Sequence, residues 1–157
     1  GGGGMASKVR AAKMASWSGV RAVIAAAARE GVLADAVLGV PGVGTVVHPR
    51  PVRMSARKLW IAFAVASTGR IVVDEGAQWA LTRRNVSLLP AGVVGVEGGF
   101  AEGDAVEIVG PGDQVFAKGL ARIGAADLAR VAGRRSSERP DGMPMEAVHR
   151  DDLVMVP

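Results

Sequence analysis

Four glycines followed by Met5-Ala6-Ser7-Lys8 open the sequence and run directly into a helical pattern. A glycine loop that feeds a helix N-terminus is a phosphate-binding device. Glycine lets the backbone approach an anion, and the first-turn N–H groups and the positive end of the dipole point at it. Lys8, one turn in, would add a mobile point charge for a phosphate oxygen. Such a loop normally follows a buried strand, and no strand pattern precedes it here. On these residues alone two readings stay open: a part of a larger phosphate site, or a glycine linker.

The remaining chemistry-bearing residues have structural readings beside any functional one. His48 and His149 have no partner at metal-ligand or triad spacing, which suits surface or structural histidines. Asp151-Asp152 looks like a metal pair, but neighbours on a strand point to opposite faces, so a salt bridge or cap is the better reading. Asp74-Glu75 stands at a helix start, where acids favour the dipole, so capping outweighs catalysis. Arg134-Arg135 with Ser136-Ser137 would grip a phosphate or an RNA backbone, or simply line a solvated loop. Trp17, Trp60 and Trp79 are read as packing anchors. With no tyrosine and three phenylalanines, an aromatic surface for stacking bases is poorly supplied. The absence of cysteine rules out disulfides, thiolate metal sites and thiol nucleophiles.

The elements that must position these groups fall into two parts. The chain has 157 residues, 49% of them hydrophobic, ample for one medium domain or two small ones. Its longest apolar run, Ala22 to Ala28, falls well below the roughly 20 residues of a membrane span. No leader pattern is visible, and an intracellular, cytoplasmic location is expected. Charge divides the chain. Residues 1–68 hold nine Lys/Arg against two acids, a net +7, whereas residues 69–157 hold ten against thirteen, a net −3. A basic first part suits an anionic ligand or an acidic partner.

Met5 to Ser18 reads as a helix with Met5, Val9, Ala12 and Ser16 on one face and Gly19 as its stop. Val20 to Ala28 reads as a strand buried on both faces, with an alanine tail whose end is open between strand and helix. Glu30 to Leu38 is a short helix, and Val43 to Val47 a second strand. Two strands and two helices do not close a doubly wound domain, so this part reads as the tail of one. Met54 to Phe63 is a connector docked by Trp60, Ile61 and Phe63, and Ser67-Thr68-Gly69 is a turn. Beyond it come short strands: 70–73, 93–97, 105–109, 115–123 and 147–156. Between them lie helices at 74–84 and 125–132, a hairpin turn at Pro111-Gly112-Asp113 and a polar loop over 134–145. Such a set suggests a small closed or nearly closed barrel.

The segments "GRIVVDEGAQWAL", "SLLPAGVVGVEG" and "FAEGDAVEI", within Gly69 to Asp104 and just beyond, resemble the PUA domain at the C-terminus of bacterial glutamate 5-kinases. "LARVAGRRSSE", "VHRDDLV", "SARKLWIAF" and "VGTVVHP" are similar to the same proteins, in the same order. The opening Gly-Gly-Met-Ala-Ser-Lys resembles the family's nucleotide loop, Gly-Gly-Met-x-Thr-Lys. That resemblance favours the nucleotide reading for Gly3 and Gly4.

The resemblance implies an α/β tail of an amino-acid-kinase sandwich, followed by a small mostly-β PUA-like pseudo-barrel. The implied domains are 1–53 (end of the kinase domain), 54–68 (connector) and 69–157 (PUA domain). It implies transfer of the γ-phosphoryl of ATP to the side-chain carboxylate of glutamate, the first step of proline synthesis, with Mg²⁺ as the metal. Carried over by position, Gly3, Gly4, Met5, Ala6, Ser7 and Lys8 would lie against ATP. Ser7 stands where the family usually has threonine and keeps its hydroxyl. Gly2 stands where many members have threonine, so no contact is assigned to it. The family's first phosphate loop, catalytic lysine and glutamate-binding residues precede the matched stretch, so no catalytic or metal-binding residue is assigned here. The expected partners are an N-terminal kinase half, L-glutamate bound by that half, and further copies of the chain. The stretch alone is expected to be inactive. The alternatives are an RNA-binding PUA module, against which the net −3 of the second part weighs, and a structural or regulatory oligomerisation module.

Overall fold

The computed structural model describes residues 4–51, 53–138 and 140–156, with Ser136 described by its backbone alone. These fall into two compact units divided between Leu59 and Trp60, inside the 54–68 stretch.

The first unit holds helix α1 (Met5–Trp17), strand β1 (Ala22–Ala25), helix α2 (Val32–Leu38), strand β2 (Gly44–Val47) and a single helical turn, α3 (Ala56–Leu59). Ala12 and Ser16, one turn apart, are the buried positions of α1, and Gly19 ends it in a left-handed conformation at φ 77°. β1 and β2 pair antiparallel, from Ala22↔Val47 to Ala25↔Gly44. β1 is half-buried along its length rather than buried on both faces, and it stops at Ala25. The alanine tail after it turns instead of extending, because alanine contributes little to a pleated surface. The far end of α1 is tied down by side chain and backbone together. Ser16 Oγ donates to His48 O at 2.7 Å, and the N–H groups of Arg50 and Met54 reach Ser16 O and Trp17 O at 2.9 and 3.0 Å.

The second unit begins with a π-helical turn, Trp60–Ala64, that packs on strands β6 (Val115–Ala121) and β7 (Val148–Met155). Ile61 and Phe63 are buried while Trp60 is half exposed, so two of the three expected docking residues make the contact. Lys118 of β6 donates from Nζ to Val65 O just beyond the turn.

The rest of the unit is one mixed five-stranded sheet, with strands β3 (Gly69–Val73), β4 (Val93–Gly98) and β5 (Ala105–Val109) beside β6 and β7. The order is β4-β3-β5-β6-β7. β3 and β5 run parallel and the other neighbours antiparallel. The expected barrel is therefore not closed by a ladder. Its ends are linked instead by residues 87–92, which bridge Val148 at Leu88 and lead through the 3-10 turn Pro90–Gly92 into β4.

Helix α4 (Glu75–Arg84) follows β3. Asp74 caps it by accepting the Ala77 N–H at 2.7 Å, with Glu75 in its first turn and Arg83 and Arg84 in its last. Helix α5 (Ala125–Val131) follows β6 and places Leu128 and Val131 in the core. That core gathers Ile71, Val73, Val106, Ile108, Leu128 and Val148, all essentially without exposure. Burying a side chain of this size contributes about 1.5–3 kcal/mol. No helix among the described residues is long and apolar enough to cross a membrane.

Candidate nucleotide-binding site

Of the six residues assigned to the glycine-loop site, Gly3 lies outside the described residues, and the other five are contiguous and exposed. Gly4 is the N-cap of α1, with φ −63° and ψ 178°, and no side chain caps the helix. Gly4 O instead accepts both the Ser7 N–H at 3.2 Å and the Ser7 Oγ–H at 2.8 Å. The hydroxyl that stands for the family's threonine thus folds back on the loop itself. A Cβ built on Gly4 would meet nothing within 4 Å, so packing within this chain does not require glycine there. Met5, Ala6 and Ser7 form the first turn of α1, and Lys8 begins the second.

The cationic character of this unit extends along α1, where Arg10 and Lys13 are exposed. At its far end the Arg50 guanidinium lies 4.4 Å from the centre of the Trp17 ring, a cation–π contact. Nothing in the spacing of residue types signals that pairing. Thirty-three positions separate the two residues, and only the return of the chain after β2 brings them together.

The other residues singled out fall where structural roles predominate. The His48 carbonyl anchors α1, while its ring is exposed. Asp152 is buried and Asp151 exposed, as opposite faces of β7 require. His149 Nδ1 accepts the Asp151 N–H at 3.2 Å. Trp79 is half exposed rather than a packing anchor, with Arg84 4.6 Å from its ring centre. Arg70 of β3 reaches Asp113 at 2.7 Å and Glu97 at 3.0 Å. The hydrogen bond to Asp113, helped by the charges of Asp113 and Glu97, holds its guanidinium above the usual value against an opposing desolvation. Among the described residues no three or more His, Asp or Glu side chains gather as a metal site.

Comparison with known proteins assigns the whole chain. A glutamate 5-kinase from Frankia casuarinae is 46% identical over 158 residues, covering 98% of this chain. Along nearly its whole length the chain is similar to glutamate 5-kinases. Glutamate 5-kinases of Mycobacterium avium and Syntrophotalea carbinolica are each 45% identical, again over 98% of the chain. The chain spans about two fifths of the length of these relatives: 42%, 41% and 42% respectively. The PUA domain family matches residues 69–141, from the start of β3 through α5 and on to Asp141. Among solved structures, a PUA domain from Aeropyrum pernix K1 is 31% identical, with a TM-score of 0.43, covering 60% of this chain and 50% of that one.

Proposed function

We propose that the chain is the C-terminal portion of a glutamate 5-kinase, with residues 1–53 ending the kinase domain, 54–68 connecting, and 69–157 forming the PUA domain. The observation that carries this reading is the identity of 42–46% to glutamate 5-kinases along 98% of the chain. In the reaction, a side-chain carboxylate oxygen of glutamate attacks the γ-phosphorus of ATP. The bond to the β-phosphate oxygen breaks, ADP leaves, and an acyl phosphate forms as the first step of proline synthesis.

Phosphoryl transfer of this kind depends on positioning and charge neutralisation. Gly3, Gly4, Met5, Ala6, Ser7 and Lys8 are assigned to ATP. The geometry of Gly4–Lys8 supports the assignment. The N-terminus of α1 has no side-chain cap, so its first-turn N–H groups other than that of Ser7, which Gly4 O accepts, are available to a phosphate. The open space at Gly4 admits one, and Lys8 follows one turn in. Mg²⁺ neutralises phosphate charge and characteristically takes one or two carboxylates plus phosphate oxygens and waters. Its protein ligands are assigned to the upstream half, together with the catalytic lysine and the glutamate site.

That half is the chain's principal partner, and the stretch alone turns nothing over. The exposed apolar residues Leu33, Val37 and Leu38 of α2 support burial of the first unit against that half or a second copy in a homo-oligomer. An enzyme drawing on ATP and glutamate is placed in the cytoplasm.

The test is calorimetric titration with Mg-ATP of the chain alone and of its mixture with the upstream kinase half, following glutamate-dependent ADP release in the same samples. Turnover is expected only in the mixture, and Lys8→Ala is expected to weaken nucleotide binding there. Turnover by the chain alone would overturn the division of labour. An inactive mixture of folded halves would shift the reading to the PUA domain as an RNA-binding module.

A further inference from the structure

The second unit contains a cavity of about 930 Å³ between α5 and residues 140–144, which plays no part in the kinase reading. Its floor is apolar. Ile123 and Val131 are 3% and 2% exposed, and Met143 is half-buried beside them. Its walls carry charges of both signs from four separate segments. Arg122 comes from the end of β6, Arg134 from beyond α5, Glu102 from the β4–β5 connection, and Asp141 from the loop before β7.

Asp127 and Arg130, also in the wall, satisfy each other in an ion pair. Arg122, Arg134, Glu102 and Asp141 make no ion pair or side-chain hydrogen bond among the described residues. Two cations and two anions thus face one space without neutralising one another, above a floor that favours apolar matter.

We propose that this cavity binds a small zwitterion with an apolar body, an α-amino acid. Its carboxylate meets the guanidinium forks of Arg122 and Arg134, which suit bidentate pairing. Its ammonium meets Glu102 and Asp141, and its side chain covers Ile123, Val131 and Met143. A polyanion is the poorer fit, because three carboxylates of the wall, Glu102, Asp127 and Asp141, would repel it. The charged groups are exposed and therefore screened, so affinity is modest, with a Kd on the order of 0.1–1 mM. The proposal is independent of the nucleotide site, whose ligand is measured separately.

The experiment is an NMR titration of the full chain with L-leucine. In parallel run 4-methylpentanoate, which lacks the ammonium, 3-methylbutylamine, which lacks the carboxylate, and inorganic phosphate. Leucine is expected to shift the amides of residues 122–124, 131–134 and 141–143, and loss of either charge to weaken binding about tenfold. Arg134→Ala is expected to weaken leucine binding to a similar degree with the melting temperature unchanged. Glu102→Gln is expected to reduce the advantage of leucine over 4-methylpentanoate. No leucine shift at concentrations on the order of 10 mM would overturn the proposal. So would 4-methylpentanoate or phosphate binding as tightly as leucine, which would leave a simple anion site.

Discussion

In the unit that begins at Trp60, Ile71, Ile108, Leu128 and Val148 are fully enclosed. In the unit that ends at Leu59, Leu33, Val37 and Leu38 stand 78–81% exposed. The difference is not one of composition, since both halves are rich in aliphatic residues. It lies in what those residues face. The second unit has a sheet of five strands, with Leu128 and Val131 of α5 and Leu81 of α4 buried against it. The first has a ribbon of two strands, two helices and a single helical turn, and of its aliphatic side chains only Ala12 and Val43 are buried among the described residues. A two-stranded ribbon is marginal in water by itself, whereas three or more strands with an apolar face support independent stability. The PUA unit carries its own core, and the first unit leaves its apolar surface for something else to cover.

The sharpest way to break that contrast is to truncate one leucine in each unit. Leu128→Ala removes a side chain with no exposure and is expected to cost about 2–5 kcal/mol in urea unfolding of the chain. Leu33→Ala, at 81% exposure, is expected to change stability by less than about 0.5 kcal/mol. Equal costs at the two sites would mean that Leu33 is buried in solution and that the contrast is false.

A second pair uses glycine. A Cβ at Gly119 would stand 2.5 Å from Val148 Cγ1 and 3.0 Å from Asp152 O, so Gly119→Ala is expected to cost about 1–3 kcal/mol by overpacking. Gly4→Ala meets nothing and should leave the melting curve in place. Its effect is expected in nucleotide binding by the mixture with the kinase half. A smaller effect is expected at Asp74, whose carboxylate caps α4. Asp74→Ala should cost about 1 kcal/mol, and Asp74→Asn most of that less, as read by the same unfolding curves.

Much of the second unit was legible because its signals are local. Asp74 before an amphipathic stretch marks α4, Pro111-Gly112-Asp113 marks the β5–β6 hairpin, and the aliphatic runs at 70–73 and 105–109 are strands. What escaped the sequence is long-range. The parallel pairing of β3 with β5 and the bridge from Leu88 to Val148 bring together residues that no short window compares, and the exposure of Trp60 beside the buried Ile61 and Phe63 depends on the same packing. The pseudo-barrel was legible as a class of fold but not its strand order or the open ladder between β4 and β7, because counting strands does not fix the order in which they pair.

The reading of the glycine loop as a phosphate device rests on residue types alone. The backbone return that leaves Ser7 hydrogen-bonded to Gly4, and the stacking of Arg50 on Trp17, depend on coordinates. The charges around the α5 cavity were visible only as scattered arginines and acids. Arg122 and Asp141 carry no motif, and Glu102 and Arg134 lie in segments quoted for other reasons.

The ribbon of β1 and β2 has a consequence for handling the chain. Both of its outer edges present unpaired backbone N–H and C=O groups, on strands carrying Val23, Ile24 and Val46 and no charge. Long sheets guard such edges with charges, bulges or covering segments, and the paired residues of this ribbon carry neither a charge nor a bulge. At high concentration the ribbon is where one molecule would template another. Such templating would draw on eight residues of the less buried unit, and raising the melting point of the core would not touch it.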